Sequence, residues 1–201
     1  MPKISKTGTS SGQMTFTPNF GINKTLGQKL FANASPAYPS FLYNFCGGIN
    51  TNYKFNKKSS INADLKYSPK DFEFTPNHVV KSHFLEMQYS YEYSIFKFLS
   101  VQCGILAGIN LFEENYGTAT RKSNIQPITS NLNGFSLNRQ DIGFLVGVKV
   151  HFKRIILFSN YSNSIAPITK IQFTDENANV INLNNRLRNI QIGVGYVFGK
   201  M

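Results

Sequence analysis

From residue 13 onward the chain alternates apolar and polar side chains with a period of two, and no segment carries a convincing 3.6-residue period. The closing stretch NIQIGVGYVF (189–198) is the plainest case. Ile190, Ile192, Val194, Tyr196 and Phe198 share one face of an extended strand, and Asn189, Gln191, Gly193 and Gly195 the other. The same period predicts eight strands, at about 13–23, 41–55, 59–68, 80–93, 97–112, 140–152, 155–164 and 187–199. Their connections alternate in length. Long segments at 24–40, 69–78, 113–139 and 165–186 are separated by short reversals at 56–58, near Ser94-Ile95-Phe96, and at Lys153-Arg154.

An even number of strands joined by alternating long loops and short turns is the pattern of an all-β, antiparallel, up-and-down barrel, with both termini on the short-turn side. Alternation alone leaves two barrels open, one apolar inside and soluble, the other apolar outside and transmembrane. Three features favour the second. Several strands approach or exceed the ten or so residues that cross a bilayer on a tilt. One face is nearly free of charge through mid-strand, which places Ile105, Ile109, Phe144, Val146, Ile190, Ile192 and Val194 against lipid. Aromatic residues gather where strands meet the short turns or the C-terminus: Tyr53, Tyr91, Tyr93, Phe152, Tyr196 and Phe198, the expected girdle at the boundary of lipid and water. The opposite face is polar and rich in glycine, and it carries Asp64, Lys66, Glu86, Asp141 and Lys149 into the lumen.

Composition adjusts this picture only slightly. At 201 residues one domain is expected: residues 1–12 as a periplasmic or disordered N-terminal segment, and 13–201 as the barrel. The net charge of +11 raises nucleic acid as a partner, but the Lys and Arg are scattered in ones and twos, with no basic stripe or recognition motif. No nucleic-acid partner is therefore expected. Cys46 and Cys103 have no disulfide or C-x-x-C spacing and fall on opposite strand faces, so both are expected as free thiols. MPKISKTGTSSGQ at the start has no apolar h-region, so no signal peptide is expected within the sequence, and no 18-residue apolar run predicts a transmembrane helix.

Three stretches, HFLEMQYSYEYSIFKFLSVQCGILAGINL (83–111), DIGFLVGVKVHFKRIILFSNYSNSI (141–165) and NIQIGVGYVFG (189–199), resemble the PorT-like, porin-family outer-membrane β-barrel proteins typical of Bacteroidetes. The likeness runs from about residue 41 to the C-terminus, and its motifs are patterns of strand and glycine. It implies an eight-stranded barrel in the outer membrane, in some cases associated with protein secretion.

The chemistry is sparse. No nucleophile and base are visible at one strand face: Ser82 and His83 are adjacent and so point apart, His78 falls in a loop, and His151 has Ser59 or Ser60 as its candidate neighbours. Three scattered His and two Cys give no metal-ligand spacing. No enzyme, cofactor or metal is expected. The lumen charges read as a plug, because eight strands enclose a space just wide enough for side chains. The expected role is that of a structural or interaction protein of the outer membrane, monomeric, with membrane lipid and other envelope or secretion proteins as partners. A soluble lipocalin-like barrel holding an apolar ligand, and a narrow solute channel, stay open as alternatives.

Overall fold

In the computed structural model, residues 12–26, 43–75, 78–117, 139–166, 169–174 and 180–199 are described. Among them ten strands are formed: β1 (Gln13–Thr25), β2 (Asn44–Lys54), β3 (Ser59–Thr75), β4 (His78–Ser94), β5 (Leu99–Gly117), β6 (Gln140–Phe152), β7 (Ile155–Ser164), β8 (Thr169–Thr174), β9 (Val180–Asn185) and β10 (Arg188–Tyr196). Eight of them close a barrel in the order β1-β10-β7-β6-β5-β4-β3-β2, every neighbour antiparallel, while β8 and β9 pair with each other as a separate hairpin. The seam joins β1 to β10 from Asn19 opposite Gly195 to Thr25 opposite Asn189, and an isolated bridge between Phe16 and Phe198 prolongs it. Closure leaves no sheet edge, which is what a sheet surrounded by hydrocarbon requires, since nothing there can bond a free N–H or C=O.

The sidedness is that of a globular protein turned inside out. Phe45 is 82% exposed and Ile105 63%, and Ile109, Phe144, Val146, Ile192 and Val194 also lie on the outer wall. Asn23, Asn62, Lys66, Lys70, Glu86 and Asp141 are buried within it. A lipocalin-like barrel needs the reverse arrangement and is incompatible with this one. Glycine creates the interior space. A Cβ on Gly193 would stand 2.4 Å from the Phe158 ring, so the glycine is what admits that ring to the lumen. A Cβ on Gly104 would stand 1.9 Å from the Tyr89 carbonyl oxygen, where the two strands approach too closely for any side chain.

Three connections differ from the sequence expectation. Residues 69–78, expected as a long connection, are mostly strand: β3 runs to Thr75 and β4 begins at His78. Pro69 is tolerated because its carbonyl accepts from Asn23 Nδ2 at 2.9 Å, away from β4. An antiparallel residue directs its N–H and C=O toward the same neighbour, so the missing N–H falls outside the β3–β4 ladder. β5 likewise continues to Gly117, past the expected end at 112, after a bulge that sets Phe112 opposite His83 and Asn110 opposite Phe84. The long connection at 165–186 contains the β8–β9 hairpin. The expected start of the second strand at 41 and most of the loops at 24–40 and 113–139 lie outside the described residues, as does the N-terminal segment up to residue 11.

Candidate functional site in the barrel lumen

Strand parity sends the even-numbered residues of β2 to β4 inward, along with the odd-numbered ones of β6, and their polar groups meet in three tiers. In the tier nearest the long connections, Lys70 Nζ lies 2.5 Å from Glu86 Oε1 and 2.7 Å from Asp141 Oδ2, with all three side chains sealed from solvent. Ser164 donates to the other Asp141 oxygen at 2.5 Å, and the Lys70 ammonium stands 4.8 Å from the centre of the Phe84 ring. Three charges in such a place are tolerable because each is paired and hydrogen-bonded; stripped of its partner, any of them is a heavy liability.

In the middle tier Asp64 accepts from the amides of Asn19 and Asn50, both at 2.9 Å. Lys66 donates to Gln191 Oε1 at 3.0 Å and lies 5.6 Å from the Phe158 ring centre. Gln191 in turn donates to Cys46 Sγ at 2.8 Å, and Gln102 to Asn160 at 2.6 Å. Between Asp64, Lys66, Asn50, Thr17 and Phe158 a cavity of about 20 Å³ is left, room for about one water molecule.

The third tier lies at the short-turn end. Glu92 accepts from Lys149 Nζ at 2.8 Å, Asn62 Nδ2 at 3.0 Å and Ser100 Oγ at 2.7 Å. His151 Nε2 is 3.2 Å from Glu92 Oε1 and 3.0 Å from Ser100 Oγ. Serine, histidine and glutamate together invite comparison with a hydrolytic triad, and the geometry argues against one. In a relay the carboxylate holds one ring nitrogen while the other takes the serine proton. Here both partners crowd the same nitrogen, and Ser100 is fully buried.

Of the lumen residues expected from sequence, Glu86 and Asp141 meet on a common lysine, Lys149 lies at the far end, and Asp64 and Lys66 are held by amides. Lys70 and Glu92 organise two of the tiers and were not among them. Lys70 lay in the segment read as a loop. Glu92 has the same parity as Glu86, which is the signal that was there to find. The histidine partner is Ser100 rather than Ser59 or Ser60; Ser59 bonds Tyr91 and Ser60 bonds Asn52.

Outside, Tyr53, Tyr91, Tyr93, Phe152, Tyr196 and Phe198 stand exposed at the short-turn end, joined by Phe55, Phe96 and Phe98. Tyr196 packs edge-on against Phe198 at 4.9 Å and Phe96 stacks on Phe98 at 5.7 Å. Cys46 is buried, Cys103 exposed, and both are free. Among the described residues no three His, Cys, Asp or Glu side chains converge as a metal site.

No family model matches the sequence, and no curated protein matches it. The fold does have solved counterparts. The attachment invasion locus protein Ail of Yersinia pestis is similar with a TM-score of 0.50 at 10% identity, over 92% of this chain and 99% of that one. The outer membrane protein OprG from Pseudomonas aeruginosa aligns at 0.48 with 13% identity, over 94% and 97% of the two chains. Neisserial surface protein A aligns at 0.47 with 13% identity, over 92% and 97%. At such identities the likeness is one of fold: a closed, eight-stranded antiparallel barrel of the outer-membrane type.

Proposed function

We propose that this chain is an integral outer-membrane β-barrel, monomeric and non-enzymatic, whose lumen is a plug and whose role is structural or interactive. One observation carries the reading: the ion pairs are enclosed, while most large apolar side chains, Phe45, Leu65, Ile105, Ile109 and Ile192 among them, face outward, with Phe84, Leu106, Leu145 and Phe158 inside as exceptions. In water that surface would drive aggregation; in a bilayer it is the solvated surface. The odd-numbered outer positions from Leu85 to Tyr93, and from Val101 to Ile109, form the lipid-facing band, and the tyrosines and phenylalanines at the short turns form its girdle. The cavity beside Asp64 and Lys66 has room for about one water, and ion pairs cross the lumen on either side of it, at Lys70 and at Glu92, so the plug is favoured over the channel.

The test is reconstitution of the full chain in phospholipid vesicles and planar bilayers. The expected result is insertion, with extraction requiring detergent, and no steady conductance. A protein that stays folded and monomeric in buffer without detergent would defeat the membrane reading, and reproducible single-channel steps would defeat the plug. The finer proposal, that the barrel is an accessory to protein secretion, is supported by its resemblance to PorT-like proteins. Deletion in the native host that leaves secretion of envelope-crossing proteins unchanged would remove it.

A further inference from the structure

The short-turn rim carries a feature that the plug does not use. Six basic residues, Lys54, Lys57, Lys58, Lys97, Lys153 and Arg154, are exposed there across all three turns. Among the described residues of these turns there is no acidic one; the nearest, Glu92, is turned into the barrel and bound to Lys149. The opposite rim is mixed, with Asp71, Glu113 and Glu114 beside Lys81, Arg139 and Arg188.

The basic turns are also held in place. Asn56 Oδ1 accepts from the main-chain N–H groups of Lys58 and Ser59, both at 2.8 Å, which fixes the first turn. Ser94 N then donates to the Lys58 carbonyl at 2.7 Å, His151 N to Phe98 at 2.7 Å, and Val197 N to Arg154 at 2.8 Å. Each turn is therefore laced to the neighbouring chain by a main-chain bond, and the cations form a collar carried on three ordered turns. Lys153 occupies this collar at φ 52°, a left-handed conformation in which glycine or asparagine is the unstrained choice.

Aromatic and cationic residues stand side by side on these turns, as in Phe96-Lys97-Phe98 and Phe152-Lys153-Arg154. Rings of this kind settle at the acyl boundary, while the long basic side chains reach outward to phosphate. An acidic soluble protein would match the cations but leave the rings without hydrocarbon. We propose that the collar is a binding surface for anionic phospholipid headgroups in the leaflet that meets the short turns. It rests on the membrane reading above, and adds that the barrel selects its lipid by charge at one rim only.

The full chain is reconstituted in phosphatidylcholine vesicles with and without phosphatidylglycerol, and the lipid shell is read by the restricted fraction of spin-labelled phosphatidylglycerol against spin-labelled phosphatidylcholine. The expected preference for the anionic lipid is about fivefold, which corresponds to about one Lys or Arg acting at an anionic surface. Combined Lys54→Gln, Lys57→Gln, Lys58→Gln, Lys97→Gln, Lys153→Asn and Arg154→Gln brings it to parity, with circular dichroism and protease resistance unchanged. A control carrying Lys81→Gln, Arg139→Gln and Arg188→Gln at the other rim keeps the preference. Equal retention of the two lipids by the unaltered chain overturns the collar while leaving insertion intact, and so does a preference that follows the control substitutions. Failure to insert in either vesicle removes the membrane reading and the collar with it.

Discussion

At the long-loop end of the lumen one lysine, Lys70, is held between two carboxylates, whereas at the short-turn end one carboxylate, Glu92, is held between Lys149 and His151. The upper cluster carries a formal excess of one negative charge and is sealed, with Phe84 packed over the ammonium. The lower one balances with the imidazole neutral, and its histidine is 30% exposed at the mouth of the barrel. Both fill space with paired charge. They differ in what happens when a partner is lost: water can reach the lower cluster, and the upper one has no such relief.

The sharpest way to break the comparison is Lys70→Met, which keeps the volume and removes the cation. Glu86 and Asp141 are then left facing each other without compensation, and breaking a buried cluster of this kind costs about 3–5 kcal/mol. Urea titration of the vesicle-inserted protein reads the loss by circular dichroism, the sequence having no tryptophan to report it. A change within experimental error would mean that the two carboxylates share a proton or that water enters the upper tier.

Glu92→Gln is the matching experiment at the other end. The amide keeps the shape and loses the charge that Lys149, Asn62 and Ser100 all address. Lys149, though buried, retains Asn62 Oδ1 at 3.1 Å and can still donate to the new amide oxygen, so the expected cost is about 1–3 kcal/mol, below that of Lys70→Met. A larger loss than that of Lys70→Met would reverse the assignment of which end is sealed.

The contrast between the two clusters also marks what the sequence could disclose. Period two was enough to place Ile190, Ile192 and Val194 on one wall and Gln191 on the other, because a closed sheet has just two faces. The alternation of connection lengths was enough to count the barrel strands. Lys70 escaped because it falls in a stretch read as a connection, and only the closed fold shows Asn23 Nδ2 of β1 donating to the Pro69 carbonyl of β3. The pairing of Ser100 with His151 escaped for a different reason. They sit on neighbouring strands, diagonal to each other across the Ser100–Lys149 pair, and that register belongs to the β5–β6 ladder, whose strands are far apart in sequence, rather than to any local spacing. The β8–β9 hairpin lies in the connection expected at 165–186, and among the described residues its strands pair with each other rather than with the barrel.

The smallest effects belong to Ser100→Ala and His151→Gln, and they bear most directly on function. Were Ser100, His151 and Glu92 a hydrolytic set, either change would abolish turnover while leaving stability nearly untouched. As members of a plug they act in the opposite way. Ser100→Ala removes one donor from Glu92, which keeps Lys149 and Asn62, so stability falls by about 1 kcal/mol. His151→Gln sits nearer water and costs less, since the carboxylate it touches has three other donors. Incubation of both variants and the unaltered chain with phospholipid should give the same unchanged lipid profile. Cleavage of an acyl chain by the unaltered protein that disappears in both variants would make this end of the lumen an active site, and the two clusters would then differ in kind rather than in exposure.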